Sequence, residues 1–190
     1  MDTLFRTVHS SNFNTSVQAL MLIQQVSSVK QFSADRFYRT LYESILDPRL
    51  LSSSKQILYL NLLYRSLKSD LSVRRVKAFI KRLLQVVTLH EPPFACAIIY
   101  LVGELQKVFP SIKFMIEQAE RNDESDEEHF IDVAVDGKAE VHHIKQNMKL
   151  KRQAMHREFK YNGRKRDPEH SNAEASCLWE IVRDDIYIRR

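Results

Sequence analysis

Helix-start signals recur at a regular interval along the first half of this sequence. They are Asn14, Ser33, Ser52, Ser72 and the pair Pro92 and Pro93, at intervals of 19, 19, 20 and 20 residues. A short side-chain oxygen accepts a hydrogen bond from an unpaired first-turn amide, and proline at the first helical position gives up no needed donor. Two such helices take about 40 residues, the period of HEAT and armadillo repeats. The spacing predicts an all-α, HEAT/armadillo-like solenoid segment, although a plain bundle of evenly sized helices would show the same spacing.

The composition agrees with long helices, because 190 residues contain only 3 glycines and 5 prolines. The distribution of charged residues then divides the chain into segments. Residues 117–128 are strongly acidic and poor in apolar side chains, whereas residues 138–166 are strongly basic. We therefore predict a helical-repeat domain at 1–119, a disordered acidic insertion at 120–140, and a basic helix with an extended docking segment at 141–190. Leu178 and Trp179 are the predicted docking side chains of that segment.

Two helices have informative patterns of apolar residues. In residues 52–68 apolar side chains go almost all the way round the helix, which predicts the most buried helix of the chain. Residues 72–90 instead divide into two faces at 100° per residue. The apolar face consists of Val76, Phe79, Ile80, Leu83 and Val87. The opposite face, which we call the cationic ridge, consists of Arg74, Arg75, Lys77, Lys81 and Arg82.

The cationic ridge is the best functional candidate in the helical part. Five cations share one face without an acidic residue, where intrahelical ion pairs would normally alternate. Side chains one and two turns apart can neutralise successive phosphates of a nucleic-acid backbone. An ordinary solvated face is the alternative, and the ridge alone does not distinguish RNA from DNA.

A second cationic stretch lies in residues 141–190, the predicted basic helix and extended docking segment. Its candidate nucleic-acid-binding residues are Lys149, Lys151, Arg152, Lys160, Arg164, Lys165 and Arg166. Phe159 and Tyr161 interleave with these cations, a mixture suited to phosphate contact combined with base stacking. The run at 164–166 is equally typical of a signal read by a nuclear import receptor.

Catalytic and cofactor motifs are absent from the sequence. It contains no glycine-rich phosphate loop, no nucleophile elbow and no Cys/His cluster with metal spacing, so we expect a non-enzymatic protein without a metal or cofactor. Cys96 and Cys177 form no Cys-x-x-Cys pair, which indicates a reducing compartment. The longest apolar stretch, residues 94–102, is about half the length of a membrane span, so no membrane partner is expected.

Several linked strings resemble the CCAAT-binding-factor domain of the nucleolar-complex family of large-subunit ribosome assembly factors. They are FYRTLYESILDPRL at 37–50, SKQ at 54–56, RRVKAFIKRLLQ at 74–85, PPF at 92–94, ESDEEHFID at 124–132, RDP at 166–168, NAE at 172–174 and CLWE at 177–180. The resemblance covers nearly the whole chain from about Phe37 onward. Family members are much longer, so we expect this chain to be part of a larger protein or a shortened one.

The resemblance implies an α-solenoid scaffold of the nucleus and nucleolus that joins early large (60S) ribosomal subunit precursors. The partners it implies are pre-ribosomal RNA, ribosomal proteins and assembly factors, and another nucleolar-complex protein as a heterodimer partner. Two other functions stay open at this point: a DNA-associated transcription regulator and a helical adaptor that binds only proteins. No base-reading helix-turn-helix or zinc module supports the first of these.

Overall fold

The computed structural model describes residues 1–29, 34–117 and 161–181. Its α-helices are α1 (Asp2–Val8), α2 (Phe13–Val29), α3 (Ala34–Ser44), α4 (Gln56–Lys68), α5 (Val73–Val87), α6 (Pro92–Val108) and α7 (Lys113–Glu117). Single 3-10 turns occur at Pro48–Leu50, Pro110–Ile112, Pro168–His170 and Ala173–Ala175. These three ranges contain no β-strand, so the all-α prediction is confirmed for them. The predicted acidic insertion at 120–140 and the basic helix before residue 161 lie outside the described residues.

The predicted helix starts are close to the observed ones, but the capping contacts differ. α5 begins directly after Ser72 and α6 begins at Pro92, as the sequence predicts. Ser72 makes no capping hydrogen bond, however, and its hydroxyl donates to Glu169, 97 residues away in sequence. α4 begins at Gln56 rather than near Ser52, because turns at residues 51–52 and 54–55 precede it.

The most buried helix is α5. Ten of its 15 residues are buried, compared with five of 13 in α4, where Ile57 is 76% exposed. The prediction that residues 52–68 form the most buried helix is therefore wrong. α5 packs its apolar face into the helical core and is also covered on its opposite face. The apolar pattern around α4 therefore predicts the burial of that helix less well than its position in the fold does.

Residues 161–181, which we call the docking segment, cover that second face of α5. The 3-10 turns Pro168–His170 and Ala173–Ala175 both contact α5. Asp167 caps the first turn, since its carboxylate accepts from the Glu169 amide at 3.1 Å. Asn172, which precedes the second turn, has a left-handed φ of 56°, a conformation that asparagine tolerates better than most residues.

The docking segment ends against the short helix α7. The Leu178 amide donates a 2.7 Å hydrogen bond to the Met115 carbonyl, and the Leu178 side chain is buried in the core. Trp179, the other predicted docking residue, is 46% exposed and lies with its ring centroid 5.6 Å from the Lys81 ammonium. The segment is thus held to the helical part at its C-terminal end by both backbone and side-chain contacts.

Within the described ranges, no single helix is long and apolar enough to cross a bilayer. α6 and Pro110–Glu117 reach the required length and composition only as a pair, and that pair is bent by 119°. Six residues of α6 are buried within the protein, and Ile98 and Leu105 among them are fully buried.

Candidate nucleic-acid interface

Arg75 lies at one end of the predicted cationic ridge and is buried rather than solvated. Its Nε donates to the Asp70 carboxylate at 2.8 Å, its Nη1 reaches Asp35 at 3.1 Å, and its guanidinium stacks over the Tyr38 ring. Burial alone would lower the pKa of Arg75, but the two carboxylates raise it above its ordinary value. Burial also raises the pKa of the Asp70 carboxyl, so charging this carboxylate is costly even beside its partner. The contacts of Arg75 are structural.

Lys81 lies further along α5 and is 1% exposed. Its ammonium donates to Glu180 of the docking segment at 2.9 Å and to the Cys177 carbonyl. A lysine without such partners would be very costly to bury. Lys81 therefore holds the C-terminal end of the docking segment in place and has no access to a phosphate.

Arg82 holds the N-terminal end of the docking segment in place. Its guanidinium lies 3.3 Å from the Tyr42 ring centroid, donates to the Tyr42 carbonyl at 2.9 Å, and donates to the Gly163 carbonyl. Burial lowers the pKa of this guanidinium. Its donors are directed at backbone carbonyls of the same protein.

The prediction of a solvent-exposed cationic ridge is therefore wrong for Arg75, Lys81 and Arg82. The physical reason is that other parts of the fold bring acceptors onto this face. Asp70 and Asp35 pair with Arg75, and the docking segment presents a carboxylate and carbonyls to the other two from 81 to 99 residues away in sequence. A helix face that looks one-sidedly cationic in isolation is thereby neutralised in the folded chain.

Two cations of the ridge do reach the solvent. The Arg74 side chain is 68% exposed and contacts Glu174 of the docking segment at 3.2 Å. Lys77 is partly exposed. In the docking segment, Arg164, Lys165 and Arg166 are all exposed. The other four predicted binding residues, Lys149, Lys151, Arg152 and Lys160, lie outside the described residues.

The structure also brings together cations that the sequence patterns did not single out. Arg36 and Arg39 project from α3 and meet Arg166 of the docking segment at a cleft of about 320 Å³. The remaining lining residues are Phe5, His9 and Thr40. The two α3 arginines are three residues apart and thus on one face of the helix, which is the signal that could have identified them.

No metal site is apparent in the part of the chain that the structure describes, where no group of three or more His, Cys, Asp or Glu side chains is arranged to hold an ion. The described residues instead form an all-helical protein in which buried ion pairs fasten a docking segment, with arginines and lysines exposed on that segment and beside it.

The chain belongs to the CBF/Mak21 family, whose family model matches residues 16–183. The matched range includes most of α2, all of α3 to α7 and the docking segment. The predicted resemblance is confirmed by this match.

Individual relatives agree with the family assignment. The chain is 54% identical over 187 residues to ribosome biogenesis protein NOC1 of Chaetomium thermophilum, an alignment that covers 96% of this chain and 17% of that protein. It is 52% identical over 136 residues to CCAAT/enhancer-binding protein zeta of Mus musculus, covering 72% and 13% of the two chains. It is 41% identical over 98 residues to nucleolar complex protein 1 of Drosophila melanogaster, covering 50% and 8%. The chain therefore spans less than a fifth of the length of these relatives.

Proposed function

We propose that this chain is a non-enzymatic scaffold segment in ribosome biogenesis, which binds pre-ribosomal RNA within nucleolar precursors of the large subunit. The observation that carries this proposal is the 54% identity, over 96% of the chain, to a protein named for ribosome biogenesis. A second relative is named as a nucleolar complex protein, which supports the nucleus and nucleolus as its location.

The helical part supplies the scaffold. Successive helices of about 11 to 17 residues pack their apolar faces into one continuous core, and we infer that they form a segment of a HEAT/armadillo-like solenoid. Such repeats present extended surfaces on which other molecules assemble. The proposed protein partners are ribosomal proteins, assembly factors and another nucleolar-complex protein.

Exposed apolar side chains offer contact area for those protein partners. The largest exposed fractions belong to Leu71, Ile57, Tyr100 and Leu89, at 94%, 76%, 71% and 70%. Proteins normally expose some apolar side chains, so these four support the proposal only together with the family assignment.

The exposed cations supply the proposed RNA contacts. Arg74, Lys77, Arg164, Lys165 and Arg166 keep access to solvent, unlike the three buried cations of the ridge. The net charge of +5 also favours a polyanionic partner. Lys149, Lys151, Arg152 and Lys160 stay in the proposed interface on the basis of sequence alone.

Ultraviolet crosslinking of the tagged chain in cells, followed by sequencing of the attached nucleic acid, tests the proposal. Reads from pre-ribosomal RNA are expected. Promoter DNA would instead support a transcription regulator, the alternative suggested by the name of the mouse relative. An absence of both nucleic acids, together with recovery of protein partners, would support a purely protein-binding adaptor.

A further inference from the structure

The cleft between α1, α3 and the docking segment has the chemistry of a phosphate site. Three arginines, Arg36, Arg39 and Arg166, line a space of about 320 Å³ together with His9. Ligand-binding clefts begin at about 300 Å³, so the space is adequate for a phosphate group and part of its attached sugar. No described carboxylate lines the cleft itself.

Each of the three arginines contacts a carboxylate that does not line the cleft, and the arginine side chain of every pair is at least 45% exposed. Arg36 pairs with Asp2 at 2.7 Å, in a contact where the side chains are 54% and 79% exposed. Arg39 approaches Asp167 at 3.4 Å, and Arg166 approaches Glu43 at 3.8 Å. Exposed pairs of this kind are weak and are screened by salt, so an incoming phosphate can compete with them.

The geometry of those contacts leaves donors for a ligand. Among the described residues, no terminal nitrogen of Arg39 or Arg166 has a hydrogen-bond partner, and the shortest approach of each guanidinium to a carboxylate is through Nε, at 3.4 and 3.8 Å. A planar pair of N–H donors matches two oxygens of a phosphate. This distinguishes them from Arg75 and Arg82, whose donors are committed to buried carboxylates and carbonyls.

Packing also orients the Arg36 side chain. The Arg36 guanidinium lies 4.1 Å from the centroid of the buried Phe5 ring. A cation held over an aromatic face loses fewer conformations when it binds an anion, because part of the ordering has already occurred.

We propose that this cleft binds a phosphate of an RNA backbone through Arg36, Arg39 and Arg166. The inference rests on the proposed function, in which the chain contacts RNA. RNA is favoured over a phosphorylated peptide because Arg164 and Lys165 precede Arg166 directly and are exposed, so positive charge continues beyond the cleft along a path that several phosphates can follow.

The test measures binding of the full chain to a short fluorescent single-stranded RNA over a range of salt concentrations. The variant R36Q/R39Q approximately keeps the length of the side chains but removes two charges from the cleft. R65Q is the control for loss of a cation elsewhere on the surface, because Arg65 is an exposed arginine of α4 outside the cleft. R36Q/R39Q should bind at least tenfold more weakly than R65Q at low salt, with a salt dependence reduced by about 0.7 for each phosphate that is no longer neutralised.

Equal affinity and equal salt dependence for the two variants would overturn the cleft assignment while leaving RNA binding by the chain intact. A parent chain that binds no RNA would overturn both this inference and the RNA contact of the proposed function. Binding of a phosphoserine peptide, but not RNA, that depends on Arg36 and Arg39 would assign the cleft to a phosphoprotein instead.

Circular dichroism checks that each variant is folded. Should R36Q/R39Q unfold, because Arg36 packs on Phe5, the single variant R166Q removes the cleft charge contributed by the exposed docking segment. It should likewise weaken RNA binding relative to R65Q, and an unchanged affinity of a folded R166Q would contradict the proposal.

Discussion

The Lys81 ammonium lies 2.9 Å from both carboxylate oxygens of Glu180, and the two side chains are only 2% and 4% exposed. The residues are 99 positions apart in sequence. Because burial shields each charge from solvent, each depends on the other for its stabilisation. The central helix α5 and the docking segment therefore depend on each other, and a lysine predicted to contact nucleic acid instead forms an ion pair inside the protein.

Replacing this lysine should destabilise the chain severely. Lys81→Met leaves the Glu180 carboxylate buried without its partner, so the free energy of unfolding should fall by about 3 to 5 kcal/mol. Urea denaturation measures the change. Lys77→Met on the same helix is the matched control, and because Lys77 is partly exposed its effect should stay within about 0.5 kcal/mol. Equal stability of the two variants would show that the docking segment is not fastened at Lys81.

Phe79 tests the apolar side of the same helix. Its side chain is fully buried, and its ring packs against Tyr42 and Tyr38 with centroids 5.1 and 6.3 Å apart. Phe79→Ala should cost about 3 to 5 kcal/mol of unfolding free energy, since it removes this packing and leaves a cavity. Leu71→Ala, at a position 94% exposed, should change the melting temperature little. An unshifted melting temperature for Phe79→Ala would contradict the packing of α5.

His90 should make stability depend on pH. Its ring stacks on Phe94 with centroids 4.3 Å apart, and burial lowers the pKa of His90 below its usual value of 6.5. The unfolded chain therefore takes up this proton at a higher pH than the folded chain does. The stabilisation is present above about pH 6.5 and is lost as the pH falls through the lower pKa of the folded state.

Denaturation of the parent and of His90→Gln between about pH 7.5 and about pH 4.5 measures this contribution. The difference in unfolding free energy between them should change in favour of the variant as the pH falls. His170→Gln is the control, because His170 is exposed. A difference that does not vary with pH would show that His90 is as accessible to water in the folded chain as in the unfolded one.

The helical part of the fold could be predicted from local sequence signals. Pro92 marks a helix start because proline geometry acts within the first turn, and the stripe from Val76 to Val87 is buried because helical periodicity is also local. The burial of Arg75, Lys81 and Arg82 could not be predicted in this way. Their partners include Glu169, Gly163 and Glu180, which only the three-dimensional path of the docking segment brings to α5.

The candidate site could likewise be predicted from the sequence only in part. Arg164, Lys165 and Arg166 form a run that is visible in the sequence, and the structure places them on the surface. The spacing of Arg36 and Arg39 predicts that they share a helix face, but it does not predict that Arg166 lies beside them in the fold. Charge clusters assembled from distant segments leave no local pattern.

The most direct test of the proposed RNA-binding scaffold is sedimentation of a variant in which Arg74, Lys77, Arg164 and Lys165 are all changed to Glu. These four side chains are at least partly exposed, so the variant should keep the melting temperature of the parent within a few degrees. We expect it to move from the pre-ribosomal fractions of a sucrose gradient to the free-protein fractions, because four cations that we propose to contact phosphates become anions. A folded variant that still sediments with pre-ribosomes as the parent does would contradict the RNA-binding scaffold proposed for this chain.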